Sequence, residues 1–289
     1  MTWQLLYANQ TSFNGTNQDD RVISLGHNKH LQLGNGNNIL VSYGNNNEAY
    51  SGGGDDIFYM MGGDQTIIST GGNNNAITGG GDDRIVFTNA IGNDFVSSGN
   101  GQDIIFTGGG DDLVYSGADD DTVYLGHGDD DAYLGHGNDH AYSGSGQDFI
   151  DGEEGNDIIN GSNCKGNKTF FGGDGNDHLI GGIQNDYLDG GNQNDVLVGN
   201  QGFNIYWGGL GADTFRIGNG DDLVEDFNLL EGDTIEMVEP LASFSAAVTA
   251  HVVGYTGTLV NGDSISGSIV CADADQARDF FFNWLPQAT

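Results

Sequence analysis

An all-β fold, built as a parallel solenoid with glycine-rich nonapeptide loops and closed by a short β/α C-terminal segment, is predicted by three features of the chain. The first is a nine-residue period: between Asp20 and Asp222 one unit recurs 23 times, Gly-Gly-x-Gly-x-Asp followed by an apolar alternation, as in Thr107-Gly-Gly-Gly-Asp-Asp-Leu-Val-Tyr115. The second is that alternation itself, the two-residue rhythm of a strand. The third is glycine, 51 of 289 residues, which allows a tight loop in every unit.

Two places after the sixth position of each unit an apolar residue recurs. The column runs Val22, Leu31, Leu40, Ala49, Phe58, Ile67, Ala76, Ile85, Val96, Ile105, Val114, Val123 and Ala132, and continues through Ala141, Ile150, Ile159, Phe170, Leu179, Leu188, Leu197, Tyr206, Phe215 and Val224. No charge interrupts it. The column holds only if two-residue insertions lie between Asp83 and Asp94 and between Asp157 and Lys168, where the loops should bulge. One inward residue per nine predicts two units per turn and two facing parallel sheets with a thin aliphatic core.

Repeats stabilised only by their neighbours need ends. Residues 1–19, with Trp3, Leu5 and Tyr7 alternating, are expected to form an N-terminal cap strand. Residues 20–82 read as degenerate, Asn-rich turns, and 83–236 as the acidic repeat proper. Residues 237–289 read as a cap, with strands near Ala247–Val253 and Ile265–Cys271 and a helix from Asp273 to Leu285 that carries Ala277, Phe281, Trp284 and Leu285 on one side.

The sixth position is the candidate ligand column. Aspartates at Asp83, Asp94, Asp103, Asp112, Asp121, Asp130, Asp139, Asp148, Asp157, Asp177, Asp186, Asp195, Asp213 and Asp222 supply hard anionic oxygens, and the glycine loops supply carbonyls, a donor set suited to calcium. Alternate members share an edge. One edge gives seven Asp pairs: Asp83/Asp103, Asp103/Asp121, Asp121/Asp139, Asp139/Asp157, Asp157/Asp177, Asp177/Asp195 and Asp195/Asp213. The other gives three: Asp94/Asp112, Asp112/Asp130 and Asp130/Asp148. About ten ions result, and they would offset more than half of a formal charge of −35. Before Asp83 the column is mostly Asn and Gln, so that part is expected to fold without metal. Lys29 and Lys168 also stand in the column. The preferred reading makes them exposed loop residues of degenerate units; the alternative makes each ammonium a built-in cation.

With 42 acidic and seven basic residues, binding to nucleic acid or to anionic membranes is excluded, and no segment is apolar enough to insert. Folding is expected to be coupled to cation binding. Cys164 and Cys271 either pair or remain thiols. His127, His136 and His140 cluster in sequence but fall on diverging loops, so they read as exposed. No nucleophile–base–acid set and no His-Glu-x-x-His appears, so a non-catalytic protein is expected.

The outward strand positions separate two faces. One carries Ile39, Val41, Ile57, Tyr59, Phe95, Tyr115, Tyr133, Phe171 and Trp207, too apolar for an ordinary solvated sheet. Either the tail or a second copy should cover it, and a homodimer is preferred. The other carries an aromatic column of Phe106, Tyr124 and Tyr142 that could stack sugars, so carbohydrate binding to an extracellular polysaccharide is the alternative function.

Units such as Gly172-Gly-Asp-Gly-Asn-Asp177 and Gly190-Gly-Asn-Gln-Asn-Asp195, the latter with Gln193 in place of a glycine, resemble the RTX family of secreted bacterial toxins, proteases, lipases and epimerases. Residues 209–235, with Gly209-Leu-Gly-Ala-Asp213 and Gly232-Asp-Thr-Ile235, resemble the way such repeats end. The resemblance, over residues 20–235, implies a right-handed parallel β-roll with calcium between stacked loops. It also implies type I secretion, with Asp279-Phe-Phe-Phe282 as a candidate export element. A secreted, calcium-binding structural or interaction module is the expected function.

Overall fold

A computed structural model describes residues 3–88, 91–238, 241–249, 251–272 and 275–277. The chain divides into two compact units, Met1–Ser145 and Gly146–Thr289.

In the first unit consecutive strands alternate between two parallel sheets, as the nine-residue period requires. One sheet stacks strands from Gln4–Leu6 to Asp131–His136, the other from Ser12–Thr16 to His140–Tyr142. Paired strands lie 18 residues apart, as in Ile39↔Ile57 and Leu113↔Asp131. The spacing becomes 20 where the insertion was inferred, in Phe95↔Asn75 and Arg84↔Ile104. Residues 89–90 of that loop lie outside the described residues.

The predicted apolar column is buried throughout, from Val22 to Val224. The thin core needs one correction, because two residues per unit point inward. Two places after the apolar column a second buried file runs through Ser24, Leu33, Ser42, Met60, Ser69, Thr78, Phe87, Ser98, Thr107, Ser116, Leu125, Leu134 and Ser143. Extended backbone returns every second side chain to the same face, so a strand of five or six residues presents two. Hydroxyls in this file zip the turns together. Ser98 Oγ donates to the Ser116 carbonyl, Thr107 Oγ1 to Leu125 and Ser116 Oγ to Leu134, at 2.7, 2.8 and 2.7 Å.

The strand Gln4–Leu6 pairs with Arg21–Leu25 and begins the first sheet. Its phase corrects the sequence expectation. Leu5 pairs with outward Ile23, so Leu6 is buried while Trp3, Leu5 and Tyr7 are exposed.

The second unit repeats the arrangement, from Asp148–Glu154 to Gly220–Phe227 in one sheet and from Ile158–Asn160 to Thr234–Met237 in the other. Here the second file turns to glycine at Gly152, Gly172, Gly190 and Gly208. The tail then adds three strands to the first of these sheets. Ser264–Cys271 pairs parallel to Gly220–Phe227, and Val252–Leu259 and Leu241–Thr249 follow antiparallel. Ala247–Val253 therefore spans the end of one strand and the start of the next and is not a single strand: Val248 pairs with Val253 between them. The tail extends the sheet at its end, so these strands do not cover its outer face. Residues 275–277 are helical, with Ala277 buried; Asp279–Phe282, Trp284 and Leu285 lie outside the described residues. Cys164 and Cys271 form no disulfide.

Candidate metal centre

Each loop is tight enough to require glycine at its closest approaches. Gly117 has φ of +117°, and a Cβ there would overlap the carbonyl oxygen of Gly99 one turn away. Gln193 adopts the same left-handed region, at φ 81°, without glycine's freedom.

The sixth-position side chains point into these loops and are buried. Their Oδ1 atoms perform one repeated task, accepting the backbone N–H of the column residue in the preceding turn. In the first unit this links Asp83 to Asp103, Asp103 to Asp121 and Asp121 to Asp139 at 2.7, 2.8 and 2.7 Å. On the other edge it links Asp94 to Asp112 and Asp112 to Asp130 at 2.8 and 2.9 Å. In the second unit it links Asp157 to Asp177, Asp177 to Asp195 and Asp195 to Asp213 at 2.7, 2.7 and 2.9 Å. An outer ladder missed from sequence runs beside it: Asn93 Oδ1 accepts the Asp111 N–H, and Asp111 Oδ1 accepts that of Asp129, each at 3.0 Å.

The second carboxylate oxygen differs. In Asp83, Asp103, Asp112, Asp121, Asp177, Asp195, Asp213 and Asp222, Oδ2 is buried and accepts no hydrogen bond. Ionised oxygens so placed are unfavourable unless a cation meets them. Burial accordingly pushes these acids up: Asp103, Asp112, Asp177 and Asp213 to about 6, and Asp83 and Asp222 to about 7. Asp121 and Asp195 reach about 8, from burial first and then from the like charges of Asp103 and Asp139, or of Asp177 and Asp213. In the second unit glycine lets the carboxylates sit close: a Cβ on Gly172 or Gly190 would overlap Oδ2 of Asp177 or Asp195.

Loop carbonyls face the same space. Where the column holds asparagine, the carboxamide finds them: Asn38 Nδ2 donates to Gly36 at 2.9 Å and Asn47 Nδ2 to Gly44 at 2.8 Å. Paired carboxylates with unmet oxygens, ringed by carbonyls, fit a hard divalent cation such as calcium. Among the described residues no three His, Cys, Asp or Glu side chains converge, so carbonyls must complete any shell.

Not every aspartate of the column fits equally. Asp186 is satisfied at both oxygens, by the N–H groups of Lys168 at 2.7 Å and Gly182 at 2.6 Å. Asp148 is paired with Lys168, Nζ to Oδ2 at 2.5 Å. Asp233, absent from the sequence column, accepts the Asp213 N–H at 3.0 Å and, at its other oxygen, the Asn228 N–H at 2.7 Å; burial lifts it to about 6. Its signal was present in Gly232-Asp-Thr-Ile235, but the spacing of 20 residues from Asp213 broke the nine-residue count.

Lys29 and Lys168 require a correction. Both are 1% exposed, not loop-surface residues. Lys29 Nζ donates to the Tyr7, Ala8 and Gln10 carbonyls, so the reach of a long side chain into the preceding loop, invisible in sequence, decides its place. His127 and His136 are exposed on different sheets, His127 bonded to Ser145 Oγ at 2.6 Å.

On the outer faces, Phe106, Tyr124 and Tyr142 stack with centroids 4.4 and 4.7 Å apart and planes within 3°. Tyr115 and Tyr133 stack at 5.1 Å. Tyr59 and Trp207 are partly exposed at 36% and 40%.

Stacked parallel strands with a buried acid at most of their loops define a cation-binding β-solenoid. The profile described as RTX calcium-binding nonapeptide repeat (4 copies) matches residues 32–60, 61–89, 90–123, 106–141, 133–163, 166–197 and 189–224, more than half of the chain. The chain belongs to this family, whose nonapeptide repeats bind calcium, and its parallel β-roll architecture follows. No individual curated protein matches it.

Proposed function

We propose that this is a secreted, non-catalytic β-roll whose acidic segment, residues 83–236, folds around calcium and then serves as a structural or interaction module. The observation that carries the reading is the file of buried carboxylates held at Oδ1, with Oδ2 unmet in Asp103, Asp121, Asp177 and Asp195 among others. A site of that kind is unfavourable where calcium is scarce and stable where it is plentiful, which suits export before folding. Nine Oδ1 links lie within the two units, Asp213/Asp233 among them, although Asp233 Oδ2 also accepts the Asn228 N–H at 2.7 Å. They support about ten ions, with Asp148 and Asp186 the weakest candidate ligands. Residues 20–82, where Asn and Gln fill the loops themselves, fold without metal.

The stacked rings of Phe106, Tyr124 and Tyr142 occupy each other's faces, which argues against sugar stacking there. A second copy is the proposed cover of the face bearing Tyr59 and Tyr115, which are 36% and 42% exposed. Circular dichroism through a calcium titration tests the reading. Strand signal should rise cooperatively to a plateau while part of it persists in chelator; a spectrum indifferent to calcium refutes it.

A further inference from the structure

We infer that the Lys168 ammonium is a resident cation, standing where neighbouring turns would take calcium, so that this turn is completed without metal. The inference rests on the calcium reading above. Lys168 belongs to the ligand column by register, its strand pairing Asp148↔Lys168. Its side chain is fully buried, and Nζ meets the oxygens a metal there would collect. It pairs with Asp148 Oδ2 at 2.5 Å and donates to the carbonyls of Gly146 at 2.8 Å and Lys165 at 3.4 Å. Those carbonyls come from two successive loops, which are themselves joined by the Gly146 N–H to the Lys165 carbonyl at 2.8 Å. One carboxylate and carbonyls from both loops form an oxygen shell of the calcium type, filled by a charge tethered to the backbone.

The same substitution recurs in the first unit, which makes it a rule of the column. Lys29 Nζ gathers three carbonyls, from Tyr7, Ala8 and Gln10. Gln65 Nε2 donates to Gly44 at 2.8 Å and to Gly63, and Asn38 Nδ2 reaches Gly34 at 3.3 Å and Gly36 at 2.9 Å. At these positions, where aspartate is missing, an N–H donor takes the loop acceptors. A lysine that merely filled space would have its Nζ at the surface, because ammonium groups snorkel to water when they can.

The test uses the full chain and counts bound calcium by equilibrium dialysis and atomic emission, alongside melting in chelator. Lys168→Asp should bind at least one ion more than wild type and become more dependent on calcium for folding. An unchanged count in a folded Lys168→Asp protein overturns the inference. If that variant does not fold, Lys168→Met decides: its melting temperature in chelator should fall well below wild type while the calcium count stays the same, and wild-type melting in chelator overturns the inference. Wild type that binds no calcium refutes the function proposed above; wild type that binds it, with Lys168→Asp unchanged, refutes only the resident cation.

Discussion

Asp121→Asn separates what the ligand file contributes with and without metal. The carboxamide keeps an oxygen for the Asp103 N–H, as Asn38 does for Asp20 at 2.9 Å. It replaces the unmet Oδ2 with a donor that can reach loop carbonyls, as Asn38 Nδ2 does. In wild type, Asp121 is pushed from 3.8 to about 8 by burial and by Asp103 and Asp139, so metal-free folding at pH 7 must bury a charge or capture a proton. At about 1.4 kcal/mol per pH unit, that penalty is on the order of 2–4 kcal/mol. In chelator the variant should melt several degrees above wild type. In calcium the order reverses. Asp121 serves two links, to Asp103 and to Asp139. Losing both ions at a free concentration 100 times their dissociation constants removes about 5 kcal/mol, more than the substitution returns. Differential scanning calorimetry in chelator and in millimolar calcium should give crossing curves. A variant that melts below wild type in chelator, or keeps the full calcium stabilisation, refutes the reasoning.

Metal-free wild type should be most stable below about pH 4 and lose stability as pH rises through 6 to 8, because Asp83, Asp103, Asp121 and Asp195 have folded-state values raised above 3.8. Melting in chelator across pH checks the sign, and stability that increases over that window contradicts it. Gln193→Gly should relieve the left-handed strain at φ 81° and raise stability by about 0.5–1 kcal/mol after the extra flexibility of unfolded glycine is subtracted; urea unfolding measures it, and a lower midpoint speaks against strain. Tyr124→Ala removes two stacked contacts and should lower stability by about 1–3 kcal/mol. An unchanged melting temperature would mean that the column contributes nothing to rigidity.

Two files of the fold differ in how far a sequence can carry them. The apolar column from Val22 to Val224 could be read residue by residue, because one side of a strand with a fixed period has one chemistry. The file beside it escaped, since Ser98, Leu125, Met60 and Gly172 share a position without sharing a character, and only the pleat makes them equivalent. The ligand column was legible as chemistry, down to its asparagine start. Three things in it were not: Lys29 and Lys168 reach inward by side-chain length that no spacing encodes, Asp233 is hidden by an irregular step, and Asp186 is satisfied by the local Gly182 amide. The stretch Ala247–Val253 read as one strand because the end of Leu241–Thr249 and the start of Val252–Leu259 share an apolar composition that does not mark where one stops.

The column bonds all run one way, from an amide in one turn to a carboxylate or carboxamide in the next, and this gives the stack a polarity. Any break leaves a hungry amide on its N-terminal side and an idle acceptor on its C-terminal side. The first acceptor, Asp20, is occupied locally by the Thr16 amide at 2.7 Å, a small repair by a neighbouring residue. The far end needs a new acceptor and a new strand, provided by Asp233 and by Ser264–Cys271. Stripping turns from the front therefore exposes acceptors that water or a stray cation can meet, while stripping them from the back exposes amide donors that water can meet but a cation cannot, so the two ends of each stack differ in what could cap them.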